Sequence, residues 1–157
     1  MNKQFSVSIG INPAATYGFS SASTFPDIIE ITSCTYSAGS SLPSTATLYA
    51  TSSASVDQLV DDNIIGTITF SGSTGTVTIV NSGKALSGKS YIGIVMNRSN
   101  RLSILFSLNC DLASTVKVFN GSSWDECPVK AYNGEEFVPS QIFRYDGEEF
   151  VECTHIE

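Results

Sequence analysis

One stretch of the 157-residue chain matches the phosphate-cradling pattern G-x-x-x-x-G-K-[ST]: Gly83-Lys84-Ala85-Leu86-Ser87-Gly88-Lys89-Ser90. That chemistry needs a helix to begin directly after the lysine, so that free backbone N–H groups and the positive end of the dipole face the phosphates. The residues that follow, Tyr91-Ile92-Gly93-Ile94-Val95-Met96, are rich in β-branched side chains and include a glycine. They predict a strand, so the segment is expected to be a loop between strands, with no nucleotide cofactor.

Other reactive groupings fail on spacing. His155 is the only histidine and is the third residue from the end of the sequence, so a Ser-His-Asp or Cys-His site would be expected to hang on a frayed segment. Asp61-Asp62-Asn63-Ile64-Ile65-Gly66 begins like a calcium loop, but its fifth position is Ile and no Glu stands at the twelfth. The cysteines, at 34, 110, 127 and 153, lack the close C-x-x-C spacing of a zinc or thioredoxin-like site. They are expected as reduced thiols, with Cys34 and Cys110 buried in apolar runs. Neither a metal, a cofactor nor an enzymatic activity is expected.

What remains is binding chemistry carried by aromatic rings. Phe119-Asn120-Gly121-Ser122-Ser123-Trp124, Tyr132-Asn133-Gly134-Glu135-Glu136-Phe137 and Tyr145-Asp146-Gly147-Glu148-Glu149-Phe150 are copies of one unit, each starting 13 residues after the last. Asn-Gly or Asp-Gly between alternating residues is the strongest short-range hairpin cue, because a two-residue turn needs positive φ at both central positions. Three β-hairpins are therefore predicted, with strands too short to be stable alone. Two uses of the rings stay open. They form the core of a meander, favoured by their being almost all the apolar bulk of this part, or Trp124, Tyr132, Phe137, Tyr145 and Phe150 are exposed platforms for sugars.

The elements that must position these groups come from the first two thirds of the chain. Ser and Thr make up about a quarter of the sequence, a composition suited to strands and turns. Alternating or apolar segments over residues 5–11, 28–36, 46–51, 64–70, 76–80, 91–96 and 102–108, separated by Gly, Ser, Asn and Pro clusters, predict seven or so strands and hence an all-β sandwich. Residues 53–60 allow a helical turn, with Ser55 as its N-cap and Leu59 inward. The tip Asn97-Arg98-Ser99-Asn100-Arg101 holds the only basic pair of this part, and Arg98 and Arg101 are its candidate partner contacts.

Charge divides the chain at the same place. Of the formal −7, residues 1–110 contribute nothing, with five basic side chains against five acidic, whereas Lys117, Lys130 and Arg144 face ten carboxylates between Asp111 and Glu157. Two units are expected: a β-sandwich domain over 1–112 and a hairpin-repeat appendage over 113–157. The acidic appendage repels phosphate backbones and anionic lipid, so neither nucleic acid nor membrane is an expected partner. No run reaches the roughly 20 apolar residues that span a bilayer, and the first residues lack the apolar core of a secretion signal.

Residues 46–96, with Leu48-Tyr49-Ala50, Gly66-Thr67-Ile68-Thr69-Phe70 and Leu86-Ser87-Gly88-Lys89-Ser90-Tyr91, resemble the jelly-roll sandwiches of phage tail and fibre proteins and of carbohydrate-binding modules. Residues 116–153 resemble the short aromatic-Asn-Gly-x-x-Trp repeats that close many phage virion proteins, minor tail and capsid-associated ones in particular, although Phe137 and Phe150 stand where those repeats have Trp. The resemblance implies a jelly-roll-like sandwich followed by three hairpin repeats. It implies a non-enzymatic structural protein of a bacteriophage virion, made in the host cytoplasm and assembled on the capsid or tail through contacts with other virion proteins and copies of itself. The alternative is a carbohydrate-binding module for attachment to a host surface glycan.

Overall fold

The computed structural model describes residues 2–25, 28–39, 42–81, 86, 88–113, 115–119, 122, 124–145 and 150–152; at 29, 115–119, 124–128, 143–145 and 150–152 the backbone alone is described. Among the described residues the regular structure is all-β, in antiparallel sheets, with two short 3-10 turns. In chain order the first nine strands are β1 (Asn2–Ile11), β2 (Tyr17–Phe19), β3 (Ile28–Ala38), β4 (Thr45–Thr51), β5 (Ile64–Thr69), β6 (Thr74–Thr76), β7 (Thr78–Ile79), β8 (Tyr91–Met96) and β9 (Leu102–Leu112). They form a four-stranded sheet in the order β1-β9-β3-β6 and a five-stranded sheet in the order β2-β8-β4-β5-β7.

Period-two alternation turns one face of each sheet inward. Along β9, Leu102, Ile104, Phe106, Leu108 and Cys110 are buried while Ser103 and Leu105 are exposed. Val7, Ile9 and Ile11 do the same on β1; on β3 Ile31, Cys34 and Tyr36 are buried, the step of three between Ile31 and Cys34 falling at a register shift against β9. From the other sheet Ala46, Leu48, Ala50, Ile65, Ile68, Ile92, Ile94 and Met96 enter the same cluster, so the two sheets enclose one core.

Apart from 76–80, each segment expected as a strand falls on one, and β8 occupies the six residues that follow the phosphate-loop pattern. In place of a helix start there is a tight turn closed by Lys89 N–H to Leu86 O at 2.8 Å, with Gly88 at φ +71°. Two differences have local causes. The expected strand at 76–80 is split at Val77, whose N–H donates to Cys34 O at 2.9 Å; the chain bends there and passes from the first sheet (β6) into the second (β7). β2 was not foreseen, because three residues around a glycine carry no periodic signal. The helical turn is a 3-10 turn at Val56–Gln58 that follows Ser55, without a hydrogen bond from that side chain.

Strand pairs nest along the chain: β4 with β5, β3 with β6, β2 with β8 and β1 with β9. The nesting gathers the connections 12–16, 39–44, 70–73 and 97–101 at one end of the sandwich. At the other end β1 starts and β9 stops side by side, with Asn2 opposite Asp111.

Beyond residue 113 the chain forms three two-stranded antiparallel sheets: β10 (Thr115–Phe119) with β11 (Trp124–Pro128), β12 (Lys130–Tyr132) with β13 (Phe137–Pro139), and β14 (Phe143–Tyr145) with β15 (Phe150–Glu152). In each, the two aromatics of the 13-residue unit stand opposite one another: Phe119 with Trp124, Tyr132 with Phe137, Tyr145 with Phe150.

Candidate functional site

On the middle ribbon, register places Tyr132 and Phe137 as the last pair before the bend, and their rings meet with centroids 5.3 Å apart at an interplanar angle of 50°. Both face solvent, Tyr132 at 60% and Phe137 at 69% exposure. The packing use of the rings therefore does not hold for this pair, which forms an exposed apolar step. The contact is cross-strand, between side chains opposite each other on a two-stranded sheet, and the outer faces of both rings stay in solvent.

The bend differs from the two-residue turn expected from Asn-Gly. Four residues, Asn133 to Glu136, connect the strands, and Asn133 N–H donates to Glu136 O at 3.0 Å. Of the two positions expected at positive φ, only Gly134 is there, at +107°. Asn133 acts through its side chain: Oδ1 accepts from the Glu135 and Glu136 N–H groups, each at 2.9 Å. The Tyr132 hydroxyl donates to Gly134 O at 3.0 Å, tying the ring edge to the bend. Glu135 and Glu136 are exposed beside it. The backbone of Trp124, Tyr145 and Phe150 occupies the corresponding ribbon positions; their side chains, and Asn120 and Asp146, lie outside the described residues.

The loop end of the sandwich is the second candidate. Asn97 is its organiser, because Oδ1 accepts from both Ser44 N–H and Thr45 N–H at 3.2 Å. Arg98 donates to the Leu42 carbonyl, so its guanidinium clamps the β3–β4 loop to the β8–β9 tip. Arg101 is exposed and lines a shallow depression of about 500 Å³ with Gly10, Ile11, Asn12 and Gly39. A wider one of about 590 Å³ lies between Leu42, Pro43, Phe70 and the hydroxyls of Ser44, Thr45, Ser71 and Ser73. Under it the Phe70 ring packs edge-on against Tyr36 at 5.0 Å, and the Tyr36 hydroxyl donates to Gly72 O. The two arginines thus flank one end of the molecule with different tasks, and Phe70 beside the second depression was not singled out, because the sequence gives it only as the last residue of the expected strand 64–70.

Lys89 Nζ donates to Asn63 Oδ1 at 3.2 Å. Cys34 and Cys110 are free and buried. Burial first, and the neighbouring Cys110 second, push the Cys34 thiol up to about 12; burial first and Asp111 second push Cys110 up to about 11. Both are therefore poor nucleophiles at neutral pH. Among the described residues no three His, Cys, Asp or Glu side chains are grouped to hold a metal ion, and no helix is long and apolar enough to cross a membrane. Comparison with family models, curated proteins and solved structures finds no match to this chain.

Proposed function

We propose that the chain is a non-enzymatic structural protein of a bacteriophage virion, in which a jelly-roll-like sandwich over 1–112 seats on the capsid or tail and the hairpin repeats of 113–157 project from it. The observation that carries the proposal is the nested pairing of strands, innermost β4–β5 and outermost β1–β9, which is the order produced when one long two-stranded ribbon is rolled into two facing sheets. Support comes also from a sandwich whose 1–110 stretch sums to zero charge and is rich in Ser and Thr, a surface that tolerates extended contact with other subunits. Its partners are other virion proteins and further copies of the chain. Microscopy of purified particles tests it: density for the sandwich at regular lattice positions is the expected result, and a protein that never co-purifies with particles overturns it.

A second reading is favoured by one observation, the exposed Tyr132–Phe137 step. Two rings facing water beside polar turn groups are the kind of surface on which the apolar face of a sugar stacks, so the ribbons are assigned host-glycan attachment. A glycan array read with the wild-type chain, with Tyr132→Ala/Phe137→Ala and with Trp124→Ala distinguishes the two. Binding that is lost in the substituted chains supports attachment, and binding absent from the wild type rejects it.

A further inference from the structure

The four sheet edges of the sandwich are unequal. Edges formed by β2, β6 and β7 are three, three and two residues long, too short to template another strand, and the part of β3 that β6 leaves uncovered, residues 28–34, is broken by register shifts between Ile28 and Glu30 and between Ile31 and Ser33. The fourth, β1, runs ten residues from Asn2 to Ile11 and pairs with β9 in unbroken register, without a bulge. It has no proline, and its one charge, Lys3, sits near its start. Soluble proteins blunt such an edge with bulges, prolines or inward charges, and β1 has none of these along Gln4 to Ser8. Its last third is overlaid by β2, since a Cβ on Gly18 would stand 2.8 Å from Ile11 and 3.5 Å from the Gly10 carbonyl. The open stretch is therefore Asn2 to Ser8.

We infer that this stretch pairs with the same stretch of a second copy, antiparallel about a two-fold axis at Phe5, joining two four-stranded sheets into one of eight strands. Parity requires an odd residue to meet an odd one, so that inward rows stay inward. Centring on Phe5 sets Asn2 against Ser8, Lys3 against Val7, Gln4 against Ser6 and Phe5 against its own copy, which uses the whole open stretch and no more. The central pair is aromatic and continues an existing one, since Phe5 already packs edge-on against Phe25 at 5.9 Å. Charge favours a copy as the occupant: the two Lys3 residues come opposite valines rather than each other, and the 1–110 stretch that bears the edge has no net charge. Self-association is already part of the proposed function; the surface and symmetry of this pairing rest on the strand edge alone and need no particle.

The test is light scattering of the full chain after size exclusion, at high micromolar concentration. The wild type is expected at the mass of two chains. Gln4→Lys/Ser6→Lys and Gln4→Glu/Ser6→Glu each place like charges opposite one another on exposed positions, so each is expected at the mass of one chain, with a wild-type circular dichroism spectrum. An equimolar mixture of the two is expected to regain the two-chain mass. A monomeric wild type, a dimer indifferent to either double substitution, or a mixture that stays monomeric overturns the inference. A variant that loses its native spectrum is replaced by its same-sign counterpart, Gln4→Arg/Ser6→Arg or Gln4→Asp/Ser6→Asp, read against the same masses. Failure of the protein to associate with particles would leave these masses unchanged.

Discussion

Asn133 does with its side chain what the sequence motif had assigned to backbone conformation. Its Oδ1 collects two N–H groups, from Glu135 and Glu136. Because Tyr132 and Phe137 touch chiefly each other, Tyr132→Ala and Phe137→Ala are each expected to change unfolding free energy by less than about 0.5 kcal/mol in urea titration, as surface substitutions do. Asn97 is the reverse case. Removing its carbonyl leaves the Ser44 and Thr45 N–H groups without their shared acceptor, so Asn97→Ala is expected to cost about 1 kcal/mol in the same titration. The thiols give a pH signature. In the unfolded chain they ionise near 9.0, whereas in the folded sandwich Cys34 and Cys110 stay protonated up to about 12 and about 11. Their contribution is complete below pH 9 and is lost as pH rises toward the folded values, by about 1.4 kcal/mol per thiol per pH unit in that window. Denaturant titrations at pH 8 and pH 10 measure it, and Cys34→Ala/Cys110→Ala should flatten the difference.

At the level of elements, the strands were legible where burial alternates. Leu102, Ile104, Phe106 and Leu108 mark β9 and also say which face is inward. What alternation does not encode is sheet membership: nothing around Val77 announces that the chain leaves one sheet for the other, because both halves are short and both side-chain rows are ordinary strand residues. The choice between packed and exposed rings stayed open for a similar reason, since apolar type alone does not say whether a second layer is present to cover them. The Leu86–Tyr91 turn was legible as a loop, and Gly88 explains its composition: at φ +71° an L side chain is strained, so Gly88→Ala is expected to destabilise by about 1 kcal/mol in thermal melts. Phe106, fully buried at the middle of β9, sets the upper end of the scale, with Phe106→Ala costing about 3–5 kcal/mol.

At the scale of the whole molecule, the core cluster draws its described members from residues no later than Leu112. A chain shortened to residues 1–113 is therefore expected to melt at the temperature of the full-length protein, and limited proteolysis is expected to yield a stable fragment of that size; a large drop in melting temperature would show that the ribbons support the sandwich. The charge division, read from composition alone, falls between residues 110 and 111, within two residues of the end of β9 at Leu112. One consequence concerns force. Because Asn2 and Asp111 lie side by side, a pull between the start of β1 and the ribbons opens the β1–β9 pairing like a zipper, one rung at a time, and never loads its rungs together in shear. A molecule anchored through both of these segments would tear at low tension, so a load-bearing attachment to any larger assembly is best made through one of them, with the loop end turned away.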